Sequence, residues 1–225
     1  MVGETIKLQT TYEDGFEFSA YHEVPFVPRK GGVIVLQEIF GIDRHVRADC
    51  ERWAKAGWEA VAPALYDRRQ RDFHAAHDQA GIAEGIAHAR ATPLEQALAD
   101  IAACRDFLAP RGKVCIVGYC YGGSLTWLAA GKVEGLAAAS SYYGSMVQAN
   151  AALKPLCPTI IHLGHTDPGI PADAVEAAVK AENPDVPVYI YEGAGHGFNN
   201  QDPERYNQEA ADLARHRTRE LFEAA

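Results

Sequence analysis

The sequence predicts an α/β fold with a mostly parallel central sheet and helices on both faces. Two patterns carry that prediction. Short apolar runs rich in β-branched residues alternate with helical patterns through most of the chain, the signature of strands buried on both faces. At the N-terminus, IKLQT and FEFSAYHEV alternate more cleanly and are split by Asp14-Gly15, which reads as an antiparallel hairpin added at a sheet edge. The 225 residues, 48% of them hydrophobic, suffice for one such sheet, so 1–225 is expected to be a single domain.

The interior elements follow in order. VIVLQ at 33–37 is a short β-branched run, and a polar-rich segment at 44–55 follows it. WEAVAP at 58–63 is the next strand. The stretch 67–91 is less regular and carries Arg68, Arg69, Arg71, His74, His77 and His88; it is expected to be a lid or insertion. A helical pattern at 93–108 leads into the strand KVCIVGY at 113–119, and 122–130 is helical again. Strands at 136–144, 158–164 and 186–193 come next, with a helix at 172–181 between the last two and a final helix over 203–223.

The formal net charge of -9 argues against nucleic acid or an anionic membrane surface as partner. No run reaches the roughly 18 apolar residues of a membrane span, and the first ten residues lack a basic region followed by an apolar one. The five cysteines show no zinc-knuckle or CxxC spacing. A reducing cytoplasm with free thiols is expected, for a monomer or weak homo-oligomer.

The sharpest motif is GYCYGGS at 118–124, which follows an apolar strand and precedes a helix. This is G-x-C-x-G, a nucleophile elbow with cysteine at its centre. A strand-to-helix turn this tight strains the central residue, and Gly118 and Gly122 are expected to give it clearance. Cys120 would sit at a helix N-terminus, whose partial positive charge favours thiolate over thiol. The backbone N–H of Tyr121 would face an oxyanion formed on attack.

GAGHGF at 193–198 places His196 between glycines after the last strand, a loop from which an imidazole can act as base. Asp167 in LGHTDPGIP follows another strand end, where it is either a turn initiator or the carboxylate that orients His196. The order nucleophile, acid, histidine is that of the α/β-hydrolases. In that fold the loop after the strand at 33–37 supplies the second oxyanion donor, here the N–H of Ile39. Glu38 beside it is either a solvated loop charge or a group that engages the thiol.

Together QEIFG, APALYDR, GYCYGGS, the Asp167 turn and GAGHGF resemble the dienelactone hydrolase, or carboxymethylenebutenolidase, family over about 31–198. The resemblance implies an α/β-hydrolase fold and a small lactone or ester as substrate. It implies a Cys120–His196–Asp167 triad, with Glu38 engaging the cysteine at rest and helping to generate the thiolate. No cofactor and no metal are expected. The family holds a substrate carboxylate with arginines, one of them four residues after the catalytic histidine. Here that position is Asn200, which points to a less anionic ester or lactone. Arg68, Arg69 and Arg71 are the available cations, and Tyr143 and Phe198 are further candidates for the substrate pocket.

Three competing readings have weaker support. A redox-sensing thiol without hydrolytic activity lacks an evident resolving cysteine. A metal site would use His74 with His77 or His162 with His165, without HExxH or a cysteine cluster. A dinucleotide-binding role lacks the GxGxxG arrangement.

Overall fold

A computed structural model describes residues 3–225. Residues up to Ile116 and those from Val117 onward form two compact units. The strands are β1 (Glu4–Gln9), β2 (Glu17–Glu23), β3 (Gly31–Leu36), β4 (Trp58–Pro63), β5 (Val114–Tyr119), β6 (Ala138–Tyr142), β7 (Thr159–Gly164) and β8 (Val188–Tyr191). Their order is β1-β2-β4-β3-β5-β6-β7-β8.

In the first unit β1 pairs antiparallel with β2, and β2 antiparallel with β4, so the hairpin read from the sequence is present. Its connection is longer than a two-residue turn. Thr10 N–H donates to Phe16 O at 2.9 Å, and Gly15 takes the positive φ of 59° that its place in the bend requires. β3 and β4 are parallel and joined through α1 (Arg44–Lys55), the segment whose polar surface hid its helical period. Asp43 caps α1 by accepting from Val46 N–H at 3.0 Å. α3 (Leu94–Leu108) packs on β3 and β4.

The stretch read as irregular contains α2 (Gln79–Ala91), capped by Asp78. Gly81 and Gly85 concealed it, because glycine weakens a helical pattern. Both are needed for close packing: a Cβ on Gly81 would lie 2.0 Å from Ala76 O, and one on Gly85 would lie 2.3 Å from Ile39 O. The segment preceding α2 is tied down. Ala75 N–H donates to Phe40 O, His77 bonds Asp43 at 2.8 Å, and the His77 ring stacks on Phe40.

Glu59 on β4 is the centre of a buried ion cluster. Its side chain is 6% exposed and accepts from Arg29 at 2.7 Å, from Arg111 at 2.9 and 3.0 Å, and meets His22 at 2.9 Å. Burial pushes its carboxyl up, but the bonds from His22, Arg111 and Arg29 outweigh that and bring it down to about 2. The stabilisation is therefore complete above the ordinary carboxylate value of 4.5 and is lost as pH falls through about 2. Glu59→Gln is expected to destabilise the chain by about 2–3 kcal/mol at pH 7. Urea denaturation at several pH values should show the gap between wild type and variant closing as pH falls from 4.5 toward 2.

In the second unit β6, β7 and β8 are parallel. Consecutive strand residues point to opposite faces. Ser140 Oγ bonds Thr218 on α6 (Gln208–Ala224), while Ser141 Oγ donates to Gly123 O on α4 (Tyr121–Lys132). α4 and α6 therefore cover opposite faces of β6, as the α/β prediction requires. α5 (Ala172–Glu182) packs beside β8. α6 begins later than the sequence pattern suggested. Asn207 caps it by accepting from Ala210 N–H at 3.1 Å, and the preceding 202–205 form a turn.

Among the described residues no helix is long and apolar enough to cross a membrane.

Candidate active site

The local sequence builds the site around Cys120, the cap residue of α4, with φ 54° and ψ −110°. A positive φ costs a non-glycine residue about 1–3 kcal/mol unless its surroundings fix it. Here they do. Cys120 N–H donates to Tyr142 O at 3.0 Å, and its carbonyl accepts from Ser124 N–H at 3.0 Å. A Cβ on Gly118 would lie 2.2 Å from Gly122 O, so that glycine supplies the clearance expected of it. The sequence did not single out Gly123, yet a Cβ there would lie 2.1 Å from Tyr142 O. The elbow is pressed against the end of β6 at that point.

His196 leaves β8 on a loop with positive φ at Gly193 and Gly197, 67° and 77°. Its Nδ1 lies 2.6 Å from Asp167 Oδ2. The other carboxylate oxygen, Oδ1, accepts from Gly169 N–H at 2.8 Å. The two roles read for Asp167 therefore coexist, because the Asp-Pro-Gly turn itself aims the carboxylate. The Asp167 side chain is 2% exposed, the imidazole 33%.

Burial works against a charged imidazole. Hydrogen bonds to Asp167 and to Cys120, and the charges on both, overcome that and push His196 up to about 10. The imidazolium form thus persists well above neutrality. A thiol on a strained turn, an imidazole bonded to it and a carboxylate behind the imidazole can transfer acyl groups.

Other residues singled out in the sequence fall in different places. Tyr143 and Phe198 are fully buried. They pack rather than line an open surface: the Tyr143 ring meets the His196 ring edge-on at 5.1 Å, and Phe198 lies against Tyr143 and Tyr191. Asn200 is 3% exposed and accepts from Asp202 N–H. Arg68 is held by Asp100 at 2.5 Å and Asp14 at 3.2 Å, and Arg71 by Asp67 at 3.1 Å, while Arg69 is exposed. Glu38 is 4% exposed, which removes the solvated-charge reading. Ile39 lies against Gly85 of α2, a helix-interior glycine whose importance no sequence pattern announced.

The paired histidines do not share a ligand direction. His162 is buried between Tyr191 and Thr218, and His165 faces Glu192. His74 bonds Asp72 O, and His77 bonds Asp43.

A thiol at a strand–helix elbow after β5, a carboxylate after β7 and a histidine after β8, on this strand order, define an α/β-hydrolase. Solved structures share the fold. One from Klebsiella pneumoniae, described as a candidate dienelactone hydrolase, superposes with a TM-score of 0.83 at 29% identity, covering 99% of each chain. An alpha-beta serine hydrolase homologue from Coxiella burnetii gives 0.70 at 15% identity, covering 98% of each.

The chain belongs to the dienelactone hydrolase family, whose profile matches residues 18–225. It is 35% identical over 197 residues to a candidate carboxymethylenebutenolidase of Yersinia pestis, covering 80% of this chain and 72% of that one. It is 30% identical over 241 residues to the carboxymethylenebutenolidase of Pseudomonas putida, covering 96% and 94%. The chain is a carboxylic-ester hydrolase.

Proposed function

We propose that the chain hydrolyses a small lactone or ester through a thioester on Cys120. The observation that carries this is a single imidazole, His196, hydrogen-bonded both to Asp167 and to Cys120. The Cys120 thiolate attacks the carbonyl carbon and a C–S bond forms. The ester C–O bond breaks, and the leaving oxygen takes a proton from the His196 imidazolium. Water then adds to the thioester carbonyl, giving its proton to the imidazole. The C–S bond breaks, releasing the carboxylic acid and restoring the thiolate–imidazolium pair. Tyr121 N–H at the start of α4 is the proposed oxyanion donor. Ile39 N–H is the proposed second donor, and Glu38 the group proposed to engage Cys120 at rest.

The substrate is proposed to be less anionic than a dienelactone. Asn200 offers no charge at the family's arginine position, and Arg68 and Arg71 are already held by carboxylates. The cytoplasm is the proposed compartment, since the odd count of five cysteines does not make up a disulfide framework. A panel of lactones and aryl esters, matched in pairs with and without a carboxylate, tests the substrate class. The neutral member of each pair is expected to show the higher kcat/KM. A consistent preference for the anionic members would contradict the assignment.

A further inference from the structure

The loop that carries His196 has little stiffness of its own. Gly193, Gly195 and Gly197 alternate with Ala194 and His196, and two of the three glycines hold positive φ. Such a loop has many accessible conformations, so the position of the imidazole must be set by ties from outside it. Three ties come from the segment just after β7. Thr166 donates twice to the carbonyl of Ala194, from its backbone N–H at 2.9 Å and from its hydroxyl at 2.9 Å. His165 Nδ1 pairs with Glu192 Oε2 at 2.6 Å across the same gap. The third is the Asp167–His196 bond itself. The backbones touch here: a Cβ on Gly164 would lie 2.5 Å from Ala194 O and 2.7 Å from Gly195 O.

Asp167 and Thr166 are adjacent, and so are the Ala194–Gly195 peptide and His196. The carbonyl that Thr166 grips therefore lies two residues before the base, and the gripping residue lies one before the acid. The outer His165–Glu192 pair is mostly solvent-exposed, with side chains 42% and 82% exposed, so it contributes little. Apart from the Asp167–His196 bond itself, the Thr166 hydroxyl is the side-chain tie nearest to the base.

We propose that Thr166 is a positioning residue, whose hydroxyl latches the base loop to the acid loop and so fixes the Asp167–His196 hydrogen bond. This rests on the hydrolase reading given above for its kinetic consequence, though not for its structural one. Thr166 is exposed at the surface, and valine matches its shape without the donor, so Thr166→Val should fold. Losing one such bond corresponds to roughly a three- to tenfold change.

Two measurements on the intact protein test the latch. Steady-state kinetics on the best ester of the panel should show kcat down about three- to tenfold in Thr166→Val with KM within about twofold, and Thr166→Ser close to wild type. Proton NMR of the downfield Nδ1–H resonance, assigned by its loss in His196→Gln, should show faster exchange in Thr166→Val and wild-type behaviour in Thr166→Ser. A merely structural contact would not move that proton. An unchanged resonance in Thr166→Val, or equal losses in the valine and serine variants, would overturn the proposal. The resonance is read without turnover, so the latch can be judged even if Cys120 should prove not to be the nucleophile.

Discussion

Cys120→Ala is expected to lower hydrolysis of every active ester and lactone by at least about 10³-fold, with the fold intact. The size of the effect follows from the chemistry. Alanine leaves His196 and the proposed oxyanion donors in place but removes the atom that would bond to the acyl carbon, so only their residual stabilisation of water attack would remain. Alanine is also the right control for strain. Cys120 sits at φ 54°, and alanine keeps the Cβ, so the elbow faces the same backbone cost with or without sulfur. The Cys120 amide still donates to Tyr142 O. Thermal unfolding within a few degrees of wild type, beside lost turnover, assigns the loss to chemistry.

Asp167→Asn is expected to reduce kcat/KM by about 10²–10⁴-fold. Both oxygens of this carboxylate accept hydrogen bonds, Oδ2 from His196 and Oδ1 from Gly169 N–H. A carboxamide has one acceptor oxygen and one donor nitrogen. Whichever way it turns, an NH₂ faces either the imidazole N–H or the Gly169 N–H. The variant must therefore lose the turn or the imidazole tautomer. The pH profile carries a second sign. His196 is raised to about 10, so the protonated imidazole proposed to serve the leaving oxygen is kept until pH rises through that value. Wild-type kcat/KM should fall on the alkaline side near 10. Without the Asp167 bond, burial still pulls the imidazole down, so the alkaline limb should move to lower pH. A profile unmoved by the substitution would contradict this placement of charge.

Much of this arrangement is legible in the chain because each catalytic candidate stands at a junction with its own local signature. Gly118 and Gly122 around Cys120 mark a tight turn, and the glycines around His196 mark a loop whose backbone takes positive φ at Gly193 and Gly197. The Asp-Pro-Gly turn marks a carboxylate fixed by its own backbone. Residues that act through distant neighbours left no such mark. Gly123 matters because β6 lies against it, and Gly85 because α2 crosses the Ile39 peptide. The polar surface of α1 and the glycines of α2 masked their period, so the first read only as a polar-rich segment and the second as less regular chain. Arg68 and Arg71 looked available as cations because Asp14, Asp67 and Asp100 meet them only in the folded unit. Tyr143 and Phe198 looked like pocket residues because aromatic side chains near a motif carry no sign of which way they face.

The most direct test of the thioester route is intact-protein and peptide mass spectrometry after rapid quenching with an activated acyl ester. The expected result is a single acyl group on the peptide containing Cys120 in the wild type, with none on that peptide in Cys120→Ala. Steady turnover with that peptide unmodified, or with the acyl group on another residue, would contradict the account.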